Sequence, residues 1–353
     1  MNTLRTSHLL ATLLLVTAAC KDGGDDDKDT DTDDTNPTCV SGIAYTFPEQ
    51  SASTVFYRTA IEVGFNQAEN TTSTLTLEDG AGATVAGTVS YSADGKTAYF
   101  ETAAPLSPST QYTLTVEYSC DKTAEITFTT SDTGAAIDAS SLVDKVYSID
   151  IFSGRITEPP GVGDLLAGLL AGQDPVIVLV SPTGVDEGGS IEMLGALGEQ
   201  NGTAITQDVC TPSIEFPFAA DYSENPFFSV TATNFALEVE GFSIEIASLE
   251  LSGAFSPTGD RVEGLSIRAN ADTRPLVQAF GEDLGLDTSN PAALCDFVSG
   301  LLPTVTCQNC TAGADPYCLT IAIDSVVGDQ VPGLTGLDLI DQAAIDANPA
   351  CAE

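Results

Sequence analysis

Apolar and polar residues alternate with a period of two through much of this chain, and that pattern commits it to β-structure. Ile61-Glu-Val63-Gly-Phe65 and Leu75-Thr-Leu77 place every second side chain on one face, as a strand half-buried over a core requires. Asp79-Gly80 and Asp94-Gly95 are turn dipeptides that reverse such strands. Residues 85–91, 97–101, 112–118 and 126–130 read as further strands. About seven strands in roughly ninety residues, with turns at close spacing, predict two sheets packed face to face.

The alternation returns further along. Leu237, Val239, Ile244, Ile246, Leu249 and Leu251 alternate with Glu or Ser, and the parity switches near Ala247-Ser248, which predicts a bulge. Ser256-Pro-Thr-Gly-Asp260 then turns the chain into a strand over 262–267. Strands are also expected at 146–152 and 176–180, and helices at 162–170, at 276–284 and from Pro291. The helix at 162–170 carries Val162, Leu165, Leu166, Leu169 and Leu170 on one face, a core-packing pattern. The expected fold class is mainly β: an Ig-like sandwich followed by a disulfide-rich α+β domain built on an antiparallel sheet.

Three motifs of the first region resemble the bacterial Ig-like domains of envelope and surface-layer proteins. They are Ile61-Glu-Val63-Gly-Phe65, Gly87-Thr-Val89-Ser-Tyr91, and Ala104-Pro-Leu-Ser-Pro108-Ser-Thr-Gln-Tyr112-Thr-Leu-Thr-Val116, closing on Ile126-Thr-Phe128-Thr-Thr130. The resemblance implies a spacer or adhesion module and carries no catalytic residue. In such a sandwich the start of the first strand and the turn before the last share one end, so Cys39 and Cys120 are expected to pair. The region beyond resembles no family.

The N-terminus has the layout of an export signal: Arg5, the apolar run 9–16, then Thr17-Ala-Ala19 before Cys20. The run is too short to span a ~30 Å hydrocarbon core as a helix. This resembles the lipobox of bacterial lipoproteins, with Thr17 where that family prefers Leu, and implies lipidation of Cys20. Nine cysteines are an odd number, and setting Cys20 aside leaves eight. Besides Cys39 and Cys120 these are Cys210, Cys295, Cys307, Cys310, Cys318 and Cys351, six residues with fifteen pairings open to them. Residues 21–38 hold eight Asp and two Lys with no large apolar side chain, the composition of a disordered tether. Asp27, Asp29, Asp31 and Asp33 lack the turn glycine and closing Glu of a calcium loop. The expected organisation is a signal peptide at 1–19, a lipidated tether at 20–38, a sandwich at 39–132, a linker at 133–140 and the second domain at 141–353.

Composition excludes several function classes. A net charge of −40 repels nucleic acid and anionic surfaces. The single histidine, His8, lies in the signal, which leaves no Ser-His-Asp or Cys-His catalysis and no His-ligated metal. Asp132-Thr-Gly134 resembles the aspartic-protease triplet but lacks its preceding apolar pair and reads as a turn. Glu238, Glu240, Glu245 and Glu250 read as a solvated strand face, and Cys307-Gln-Asn-Cys310 as structural thiols in an oxidising compartment. The expected protein is a non-enzymatic, lipid-anchored envelope protein of the outer membrane, displayed on the cell surface, with no cofactor and no catalytic or metal residue. Its expected partners are the membrane, through the lipid, and a protein, glycan or other envelope component, with nucleic acid excluded. Two further readings are a periplasmic binder of an apolar ligand and a carboxylate-dependent hydrolase.

Overall fold

A computed structural model describes residues 40–150, 153–159, 177–186, 189–216, 219–239, 242–281, 285–302, 305–310 and 316–351. The first module has eight strands. They are β1 (Ile43–Phe47), β2 (Ala52–Val55), β3 (Ile61–Phe65), β4 (Thr74–Asp79), β5 (Gly87–Tyr91), β6 (Thr97–Thr102), β7 (Gln111–Tyr118) and β8 (Lys122–Thr130). They form two four-stranded sheets in the orders β1-β3-β6-β5 and β2-β8-β7-β4. The alternating residues meet between the sheets: Ile61 and Val63, Leu75 and Leu77, Leu114 and Val116, and Phe128 share one core. All pairings are antiparallel except β2 with β8, which run parallel. The Tyr112 hydroxyl accepts the Ser107 N–H at 2.8 Å and so pins the β6–β7 connection, the tyrosine corner of Ig-type sandwiches.

One end of the sandwich is organised by a buried carboxylate. Glu69 is fully buried. It accepts hydrogen bonds from the hydroxyls of Ser41 and Thr72, and from the hydroxyl and N–H of Ser119 at 2.8 and 3.1 Å. Lys122 Nζ donates to the Ser41 carbonyl at 2.6 Å. Burial alone would push the Glu69 carboxyl up, but the Ser41, Thr72 and Ser119 donors outweigh it and hold the group down at about 2.

The second module contains β9 (Lys145–Asp150), β10 (Arg155–Glu158), β11 (Ile177–Val185), β12 (Ser190–Asn201), β13 (Ala204–Gln207), β14 (Ile214–Glu215) and β15 (Ala220–Asp221). Four longer or later strands follow: β16 (Phe227–Val239), β17 (Phe242–Phe255), β18 (Arg261–Asp272) and β19 (Cys318–Thr335). Helices α1 (Arg274–Phe280), α2 (Ala293–Leu301) and α3 (Gln342–Ala347) complete it. The antiparallel sheet expected from the sequence is present, and it closes on itself. Strands pair in the order β9-β11-β12-β15-β16-β17-β18-β19, and β19 returns to pair with β9. The result is a barrel, with β10 flanking β19 and β13 and β14 flanking β12.

Successive residues on a strand point to opposite faces, so the two apolar clusters of this module identify inside and outside. Tyr147, Met193, Phe228, Phe255, Leu265 and Val326 come from strands all round the ring and pack together within it. Val146, Leu179, Ala196 and Val331 come from one arc only and lie outside, covered by Ile205, Leu334 and Leu337. Phe228 packs at a tilt against Phe255 with centroids 5.1 Å apart, and the Tyr147 hydroxyl donates to the Gly259 carbonyl at 2.9 Å. The parity switch at 247–248 coincides with a register shift of β17 against β18 between Ile246 and Ser248. Gly259, at φ +65, turns the chain between those strands. The helix expected at 162–170 lies outside the described residues.

Three disulfides tie the second module: Cys210–Cys351, Cys295–Cys307 and Cys310–Cys318. Cys307 and Cys310 therefore bond to different partners and not to each other. Among the described residues no helix is long and apolar enough to cross a membrane, and no group of acidic, Cys or His side chains is arranged to hold a metal.

Candidate functional site at the module junction

Residues 41–353 form one compact unit, and the surface that joins sandwich to barrel is built from specific contacts. The chain leaves β8 and lies along the barrel instead of crossing to it freely. Ser131 Oγ donates to the Glu263 carboxylate. Ile137 N–H donates to Asn225 Oδ1 at 2.9 Å, while Asn225 Nδ2 returns a bond to the Ile137 carbonyl at 2.7 Å. Leu142, in a short 3-10 turn at Ala139–Leu142, is buried in the barrel core. The segment 133–140, read from sequence as a linker, is thus seated on both sides.

The chain has six arginines, and three of them bridge this junction. Arg155 of β10 makes a two-pronged bond to Glu62 of β3, one prong at 2.9 Å, with its guanidinium 4.2 Å from the centre of the Phe47 ring. Arg58, just past β2, pairs with Glu224 and lies 4.2 Å from the Phe227 ring centre. Arg261 of β18 pairs with Glu263 at 2.7 Å and Asp132 at 3.1 Å. The Glu62 hydrogen bonds hold the Arg155 guanidinium above its ordinary range, against the effect of burial. At Arg58 and Arg261 burial is the largest single influence and works against the charge. Tyr57 and Glu224 overcome it in the first case, and Glu263, Asp132 and Asp260 in the second, so both titrate above their ordinary values.

Two small residues let the modules approach closely at the junction. Gly264 sits at φ +60, a conformation that favours glycine, and a Cβ built there would fall 2.1 Å from the Phe56 ring. Ala254, which faces outward next to inward-facing Phe255, is fully buried in the sandwich cluster. Beside this contact a cleft of about 450 Å³ opens between the modules. Phe47, Pro48, Val55 and Phe56 form its sandwich wall, and Gly264, Ser325 and Val327 its barrel wall. Its charged groups are Glu49, Arg261 and Glu263. Such a cleft can hold a small molecule.

The residues singled out in the sequence lie elsewhere. Cys20, Cys39 and the aspartates at 27, 29, 31 and 33 lie outside the described residues, while Cys120 is disulfide-bonded. Asp132 is the one that reaches the junction, through its bond to Arg261. Glu250 is exposed and opposes Arg268 in the β17–β18 ladder. Glu240 lies outside the described residues, as do the side chains of Glu238 and Glu245. The signal that could have located the junction was the scarcity of arginine in so acidic a chain. Guanidiniums are retained where carboxylates are being buried, and Phe56-Tyr57-Arg58 marks one such place.

Residues 33–136 match the family described as the bacterial Ig-like domain. The first module is a bacterial Ig-like domain, and such a domain fits a module of the cell envelope. Among solved structures, the copper resistance protein PcoC from Escherichia coli is 20% identical, covering 25% of this chain and 98% of its own, with a TM-score of 0.22. The N-terminal part of the bacterial S-layer protein SbsC is 12% identical, covering 47% of this chain and 43% of its own, also with a TM-score of 0.22. This chain therefore spans less than half of that SbsC fragment. Scores at this level carry no argument about fold or function. No curated protein matches the chain.

Proposed function

We propose that this is a non-enzymatic protein of the bacterial cell envelope, lipid-anchored at Cys20 to the outer membrane and displayed on the cell surface. In this reading the Ig-like domain and the barrel act as one rigid body at the end of an acidic tether, and the barrel module is the binding or structural head. The observation that carries it is the bacterial Ig-like domain, seated on the barrel through three arginine bridges. Support for the anchor comes from the lipobox-like run before Cys20 and the acidic segment directly after it. Mass spectrometry of the N-terminal peptide is expected to show a diacylated cysteine, and protease added to intact cells is expected to remove the protein. A mature N-terminus elsewhere than Cys20 would remove the anchor, and full protection from protease would place the protein on the inner face.

A second reading, a periplasmic binder of an apolar ligand, is favoured by the junction cleft. The barrel interior gives it less support, because Tyr147, Phe228 and Phe255 pack into one another there. Native mass spectrometry of protein taken directly from cells would reveal a retained lipid. Recovery of the bare chain alone counts against this reading.

A further inference from the structure

We propose that the junction cleft binds a small organic cation, an apolar or aromatic body carrying one protonated amine. This rests on reading the junction as the functional site. The cleft, at about 450 Å³, has the size of small-molecule sites and lies between two modules, where such sites commonly occur. Its walls include Phe56 and Phe47, the latter already carrying the Arg155 guanidinium 4.2 Å from its ring centre, and Val327 stands 45% exposed. The lining charges are two carboxylates, Glu49 and Glu263, against one guanidinium; Glu263 is buried and bonded to Arg261 and Ser131, so the exposed Glu49 is the carboxylate that faces a ligand. That guanidinium, Arg261, is already bonded to Glu263 and Asp132, so it has little to offer an anion.

Surplus negative charge beside aromatic rings selects a cation. The same molecule shows the preference twice. Arg155 lies over Phe47 while bonded to Glu62, and Arg58 lies over Phe227 while bonded to Glu224. In both places a cation rests on a ring with a carboxylate alongside, and the cleft lining holds Phe56 and Glu49 for the same pairing with a ligand. Charge also excludes the occupants this chain could itself supply. A second copy carries −40, and the segment 21–38 carries eight aspartates, so both are repelled.

The test is isothermal titration calorimetry of the full mature protein with phenylbutylamine, and with phenylbutanol and phenylbutyrate as its uncharged and anionic counterparts. The amine is expected to bind more weakly as salt rises. The alcohol should bind at least about tenfold more weakly than the amine, and the carboxylate not at all. Val327→Lys, at an exposed position, is expected to abolish amine binding without moving the melting midpoint. Glu49→Gln, also exposed, should weaken it several-fold. Equal affinity for amine and alcohol, or amine binding undiminished in both variants, overturns the proposal. So does a basic peptide that binds where the amine does not. If no probe binds while intact-cell proteolysis still removes the protein, the ligand class falls and the envelope reading stands.

Discussion

In the sandwich each sheet ends in two edge strands, β1 and β5 in one and β2 and β4 in the other, whereas the main ring of the barrel has no edge at all. The sandwich is closed by burying one face of each sheet on the other. The barrel is closed by β19, which pairs with β18 along one side and with β9 along the other, bringing Thr335 beside Lys145. Open sheet edges invite pairing with other chains, and a sheet that closes removes that hazard. The sandwich instead keeps its edge strand β2 to four residues and turns it toward the junction, where Ala52 and Val55 border the cleft. The difference shows what the junction does: it takes up one of the four edges that the sandwich leaves open.

If the junction couples the two modules, damage to either core should be felt by both. Phe128→Ala in the sandwich and Phe255→Ala in the barrel each remove a buried ring and should each cost about 3–5 kcal/mol. Calorimetry is expected to show a single transition displaced in both variants. Two transitions, with only one displaced, would break the coupling.

Gly264→Val attacks the contact itself. It forces a branched side chain into a left-handed conformation against the Phe56 ring, at a cost of roughly 2–4 kcal/mol. The single melt should then split into two, with each module keeping its own circular dichroism spectrum. A variant that melts once, at the parental midpoint, would show that the junction is slack.

Acid should act first on the sandwich. Glu69 is held at about 2 against an ordinary 4.5, so its contribution is complete above about pH 4.5 and fades as the pH falls toward 2. Glu69→Gln is expected to lose about 1–3 kcal/mol at neutral pH. Urea titrations across pH 2–7 should find the difference from the parent shrinking toward the acid end. A constant difference would show that hydrogen bonding of the charged form is not the source.

The smallest effects separate the junction from the barrel wall. Arg155→Met leaves Glu62, whose side chain is 11% exposed, without its guanidinium, and should cost about 1–3 kcal/mol. Arg268→Met breaks a pair with Glu158 that is 48% and 33% exposed, and should cost at most about 1 kcal/mol. Equal losses in chemical denaturation would mean that the junction pair is no better placed than a surface one.

The sandwich was legible in the sequence because its strands are short, regular and punctuated by turns. β3, β4, β6 and β7 appear where alternation placed them, and β5 starts two residues late at Gly87. Residues 43–55 carried no such pattern, and β1 and β2 were missed. Each is held by a single neighbour, and β1 breaks register between Ile43 and Tyr45. In the second module the hairpin of β17 and β18 could be read, as could helices near 276 and 293. Closure could not. It depends on β19, where register shifts near Leu265 and again between Gln330 and Thr335 interrupt any simple period, and where its partner β9 lies far back in the chain. The cleft was equally hidden, because its walls come from residues near 50, 261 and 325 that only the docked modules bring together.

The parallel pairing of β2 with β8 has a mechanical consequence. The chain enters β2 at Ala52, opposite Phe128, and leaves β8 at Thr130, opposite Val55. Tension between the segment before β2 and the barrel after β8 therefore draws the two strands past each other lengthwise. Their bonds are loaded together rather than opened one by one from an end. Past Thr130 the load meets Ser131 and Ile137, both already fastened to the barrel, before any slack can pay out. A pull along this line is resisted by sliding friction within the fold rather than by a hinge between its halves.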